Sequence, residues 1–329
     1  MYVIVALVAG TAFSFRKLYP TAAGRAALAA AGEANPALRF LYGQVDGDSI
    51  GSLTSWRYGI WAGIFTALAA IFVVIRHTRT DEEAGRLELT GSAVTGRGAA
   101  LAAALATAAS ASLAVAAGLS LVLPLAGLPA AGSVLFGLAI GGCGLAFAGI
   151  AAVAAQLTAS ARAARGIALG VLGVAFMLRG VGDAAGRGGL SWLSWVSPLG
   201  WIQLTRAFAA GRWWVLALPL AAFAAGTALA FGLAARRDLG TGLLPDRLGR
   251  PAASALLVSP LGLAWRLQRG GRGGLHRAGP SRPAPPGHRL TWCPPVRSVR
   301  GCLASRSCGP RRWGWREPGR RRARRSPGG

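Results

Sequence analysis

Long apolar runs, separated by short charged stretches, set the fold of this chain. Runs at about 56–75, 99–123, 131–157, 166–182 and 213–235 approach or exceed bilayer length, since about 20 apolar residues carry a helix across the hydrocarbon. Lipid offers no partners to backbone polar groups, so only helices and closed barrels cross it, and unbroken apolar runs without alternation point to helices. A mean hydropathy of +0.45 agrees. We therefore read an all-α, polytopic membrane helical bundle where 329 residues would otherwise suggest two soluble domains. Residues 1–15 form a further apolar run, closed by Arg16 and Lys17. It is short for a span and lacks the basic start of a signal peptide, so we read it as span 1 with its beginning missing. The total is six spans.

Between spans 2 and 3 lies a charged island, Arg76–Gly98 (RHTRTDEEAGRLELTGSAVTGRG). Acids suit a helix N-terminus, where free N–H groups carry partial positive charge. Thr80 three residues before Glu83 has capping-box spacing. The pattern predicts a short amphipathic helix from Asp81, Glu82 and Glu83 through Gly85, Arg86 and Glu88 to Gly91. Arginines flank it, and arginine-rich short loops face the cytoplasm. Arg162 and Arg165 mark a second, smaller cytoplasmic turn, and arginines follow span 6 at 236–269. Both termini then lie in the cytoplasm, and residues 18–55, with short helices such as Thr21–Ala31, form an outer loop. Trp56, Tyr58 and Trp61 are placed at the outer interface.

Residues 190–210 are apolar and tryptophan-rich, but Ser197, Pro198, Gly200 and Trp201 interrupt them. Two half-helices dipping back from the outer side fit this better than a clean span, provided protein buries the irregular backbone. Here the tryptophans read as an interfacial belt. Small-xxx-small spacings at Gly137 and Gly141, and at Gly166 and Gly170, allow close helix approach, although 48 glycines make chance matches common.

Several chemistries lack their residues. The lone lysine, Lys17, is followed by Leu18, so there is no Gly-Lys-Ser/Thr phosphate loop. His77, His276 and His288 are scattered, and Cys293, Cys302 and Cys308 have no CxxC pairing, so neither a metal site nor an intramembrane enzyme is supported. An ion-coupled carrier needs an intramembrane carboxylate. The one candidate, Asp183, follows Arg179 by one helical turn, and the two are expected to pair or to snorkel outward.

From residue 270 the character changes. Residues 270–329 hold 15 of the 36 basic residues against one acid, Glu317. Few aliphatics and no periodicity predict a disordered tail. We read it as what out-of-frame translation of GC-rich DNA yields, rather than as an arm for nucleic acid. The domain reading is thus a six-span membrane domain, 1–269, and a disordered Arg/Pro/Gly-rich tail, 270–329.

Seven stretches carry a family resemblance: LYPTAA (18–23), NPAL (35–38) with LYG (41–43), RTDEEAGRLEL (79–89), SPLGW (197–201), RWW (212–214), RRDLGTGLLP (236–245) and SPLGLAWRLQR (259–269). Together with six spans, a charged helix after span 2 and a broken hairpin after span 5, they resemble type-2 ABC exporter permeases. More narrowly, they resemble the N-terminal half of actinobacterial polyketide-antibiotic (tetronasin-type) exporter permeases. The resemblance implies a coupling helix to a separate ATPase subunit at Asp81, Glu82, Glu83, Gly85, Arg86 and Glu88, and a second contact at Arg162 and Arg165. Residues 190–210 would be re-entrant extracytoplasmic helices. ATP and Mg would sit on the ATPase, with no cofactor bound here. Further expected partners are membrane lipid, a second six-span half and an amphiphilic small-molecule substrate. The family has a basic segment before span 1 and a second half after the position of Arg269, and neither is in this sequence. The alternatives are an inactive fragment and a non-transporting regulatory or assembly subunit.

Overall fold

A computed structural model of the chain describes residues 2–84, 98–186 and 189–236. All the described elements are helical. The tail from residue 270 and the arginines at 237–269 lie outside the described residues.

Helix α1 (Tyr2–Leu18) is followed by α2 (Ala22–Ala34), which starts where the Thr21 hydroxyl accepts from Gly24 N–H at 3.2 Å. In α3 (Pro36–Tyr42), Asn35 Oδ1 accepts from Ala37 and Leu38 N–H, and Pro36 fills a first-turn position that needs no donor. α1 and α2 meet at 120°, so five helices qualify as spans on their own, with a sixth if this bent pair counts as one.

Helix α4 (Ile50–Ile75) starts at the Ser49 cap, six residues before the expected span 2. That places Trp56 inside the protein. Its indole N–H donates to Gly43 O at 3.0 Å, and its ring lies 5.5 Å from that of Tyr42. At its other end α4 does not stop before the acids. A π-helical turn, Arg76–Thr80, carries it into Asp81–Glu83, and the Thr80 side chain makes no cap bond. The expected capping box is absent, and the acids extend span 2. Gly85, Arg86 and Glu88 lie outside the described residues.

Helices α5 (Ala99–Leu125) and α6 (Ala130–Leu157) match the expected spans 3 and 4 to within two residues, with the turn between them set by Pro124 and Pro129. α6 is the axis of the bundle: 83% of its apolar window is buried, against 17% for the last span. It packs on α4 and α5, and small residues let α5 approach. A Cβ added at Gly137 would lie 2.5 Å from Ala116 O, and one at Gly141 2.9 Å from Ser112 O. Gly166 and Gly170 show the opposite: among the described residues nothing lies within 4 Å of an added Cβ. Hydroxyls within the spans, such as Thr66, Ser112 and Ser120, donate to the carbonyl four residues back. This satisfies them without a solvent partner.

Helix α7 (Ala161–Ala184) begins at Ser160, whose Oγ accepts from Ala163 N–H. Arg162 and Arg165 therefore sit in its first two turns, not in a separate loop. Two short helices follow, α8 (Leu193–Val196) and α9 (Gly200–Leu204), and then a 3-10 turn (Trp213–Leu216) leads into α10 (Ala217–Ala235).

Candidate functional site

Two charged clusters lie at opposite ends of α7, and each is built around a buried arginine. At the first, Arg79 is 1% exposed. Its Nε donates to Ala155 O in the last turn of α6, and its Nη1 donates to Glu82 Oε2 at 3.1 Å. The carbonyls of a helix C-terminus carry partial negative charge, so a guanidinium belongs there. Glu83 reaches the other partner of the junction: its Oε1 accepts from Ala161 N–H at 2.7 Å, an anion on the N-terminus of α7. Arg165 closes the cluster by donating to Thr80 Oγ1 at 2.9 Å. Asp81 pairs with His77 at 3.7 Å, and Arg162 is exposed. Of the residues singled out by sequence, Glu82, Glu83 and Arg165 are thus bonded at the α4–α6–α7 junction, Glu83 while remaining exposed. Arg79, which the sequence reading treated as a flanking charge, is its centre.

At the other end Arg179 is 0% exposed and does not snorkel. Nη1 donates to Asp183 Oδ2 at 3.2 Å, and Nη2 to Phe40 O at 2.8 Å and Leu41 O at 3.3 Å, at the C-terminus of α3. Ser194 Oγ of α8 donates to Asp183 Oδ1 at 2.8 Å. Burying a charge is costly unless it is paired and hydrogen-bonded, and here both partners are. The pair therefore ties α3, α7 and α8 together, and leaves Asp183 poorly suited to carrying an ion.

The broken segment is fastened to this end. Ser197 Oγ donates to Ala175 O at 2.7 Å, and Pro198 begins the turn into α9. A Cβ at Gly200 would collide with Ser194 O, so α8 and α9 fold back on each other only with glycine there. Trp201 Nε1 donates to Trp195 O at 2.6 Å, and Trp195 stacks on Trp214 at 5.6 Å. Trp192, Trp195, Trp213 and Trp214 are all more than a third exposed, as in an interfacial belt.

Between α9, the 43–49 loop and α8 lies a cleft of about 220 Å³, with Asp46, Asp183, Gln203, Arg206 and Arg212 in its walls. Arg206 Nε is 3.1 Å from Asp46 Oδ1. Burial still pushes the Asp46 carboxyl up to about 6, against the pull of Arg206 and Arg212. Sequence reading missed this cleft. Asp46, Gln203 and Arg206 are distant in the chain and form no motif; only the irregularity of 190–210 pointed to the region.

No protein-family model matches the chain. Over 257 residues it is 49% identical to a multidrug efflux system permease protein of Mycobacterium tuberculosis, a stretch covering 78% of this chain and 46% of that protein. The chain therefore spans about half the length of the curated relative it matches.

Proposed function

Taking the likeness to the efflux permease as the premise, we propose that this chain is one six-span half of an ABC exporter permease. It moves amphiphilic, antibiotic- or polyketide-like small molecules outward, and a separate ATPase subunit supplies the energy. The observation that carries this reading is the 49% identity over 257 residues. The geometry supports it: the Arg79 cluster joins three spans at one end into a unit that a partner could move as a body. No covalent chemistry falls to this chain, ATP and Mg stay on the ATPase, and a second six-span half completes the pathway.

In this reading both termini and the Arg79 end face the cytoplasm, and 190–210, with Ser197, Pro198, Gly200 and Trp201, forms the re-entrant extracytoplasmic element. The ATPase contact lies on residues 81–91, with Arg162 beside it. Glu82 and Glu83 serve that contact indirectly, by holding the junction. The test is co-purification of an ATPase subunit from native membranes with the tagged chain. ATPase recovered with wild type and lost with Arg162→Glu/Asp81→Arg, at unchanged thermal stability, supports the assignment. No ATPase with the wild type overturns it and leaves a non-transporting membrane subunit.

A further inference from the structure

The cleft beside the broken helices lies at the opposite end of α7 from the Arg79 cluster, and its walls are built for a ligand. Its volume is about 220 Å³. Pockets that engulf drug-sized molecules run to about 300–1,000 Å³, so this one holds a headgroup rather than a whole amphiphile. Its walls set narrow terms. Two carboxylates face it, but Asp46 is engaged by Arg206 and Asp183 by Arg179. Arg212 lines it without a hydrogen bond or ion pair from its side chain among the described residues. Gln203 donates through Nε2 to Tyr42 O, while its Oε1 is buried with no donor. Gln44 and Ser191 add neutral donors and acceptors, and Trp195 an aromatic wall held by Trp214.

An anion would meet Arg212 but would bring no hydrogen to the unpartnered Gln203 Oε1. A zwitterion would find that arginine for its negative end and no unengaged acid for its positive end. A neutral group with many hydroxyls satisfies every wall: it donates to Gln203 Oε1, accepts from Arg212 and Gln44, and lays its C–H surface on Trp195. Buried polar atoms left unmatched are costly, so a site of this composition selects for hydroxyls. We propose that this cleft binds the uncharged, hydroxyl-rich glycosyl headgroup of an amphiphile whose apolar part stays in the bilayer. The exposed tryptophans around it lie where headgroups do.

The link to an exported substrate rests on the exporter reading; the binding itself does not. The full chain is reconstituted in lipid nanodiscs free of sugar detergents. It is titrated with three probes sharing one tail, hexyl glucoside, hexyl phosphocholine and hexyl phosphate, with tryptophan fluorescence as the readout. The glucoside is expected to saturate at a concentration at least tenfold below the other two. Gln44→Leu/Ser191→Val is expected to weaken it about tenfold without changing the other two. Equal binding of all three, or tighter binding of either charged probe to the wild type, overturns the proposal whatever the variant does. A wild type that binds the glucoside but recovers no ATPase breaks the exporter reading and leaves this one standing.

Discussion

Arg79 and Arg179 are equally buried, yet they hold the bundle in different ways. Arg179 has a carboxylate one turn away on its own helix, and that carboxylate is itself bonded to Ser194. Two further bonds run from the arginine to the end of α3. Arg79 also has its acid one turn on, Glu82, but it reaches across to a carbonyl at the end of α6. One end is a closed ion-pair network joining short elements. The other joins the ends of long spans. The lesson is that buried charge can close an irregular region as well as join regular helices, and removing it should cost differently in each.

The sharpest way to break the comparison is Arg179→Leu. It strands Asp183 without its partner, and should cost about 3–5 kcal/mol, read as loss of thermal stability in nanodiscs. Arg179→Leu/Asp183→Leu should recover much of that loss, since a buried pair replaced by apolar groups is often tolerated. Arg79→Leu should cost less, about 1.5–3 kcal/mol for charge-assisted hydrogen bonds, because Glu82 sits in the last described turn of its helix, next to the exposed Glu83 and Ala84. A larger loss at Arg79 than at Arg179 would reverse the ranking. Glu83→Gln is milder still, about 1 kcal/mol, since Ser160 continues to cap α7.

A pH series sharpens the contrast at the Arg179 end. Asp46 has a folded-state pKa raised to about 6 from 3.8, so the folded chain holds the proton more tightly than the unfolded one. Stability from this group is present at low pH and declines as pH rises from about 4 to about 6. Asp46→Asn should flatten that slope in a pH series of thermal unfolding. An unchanged slope would assign it to another group.

Helix existence was legible because apolar length alone decides it in lipid. Spans 3, 4 and 6 came out within two residues, having Pro124, Pro129 and Trp213 as clear borders. Span 2 was misjudged at both ends. Trp56 has the composition of an interfacial residue, and only tertiary contact with Gly43 takes it inside. The acids at 81–83 have the pattern of a new helix start, but Arg79 and Ala161 offer them partners that let the old helix run on. Of the candidate site residues, Ser197, Pro198 and Gly200 were marked by their irregularity. Gln203 and Asp46 were not, since a cleft made by distant polar residues leaves no periodic trace.

The run from Ile50 to Glu83 covers 34 residues, about 51 Å at 1.5 Å per residue. A bilayer with its headgroups is about 40–45 Å thick. A rod longer than the slab it pierces must lean or protrude. This one is pinned near its tip, where Arg79 meets the Ala155 carbonyl. In the exporter reading, the stretch beyond the pin is the part a partner outside the bilayer could touch, and α6, packed along the same span, would shift with it.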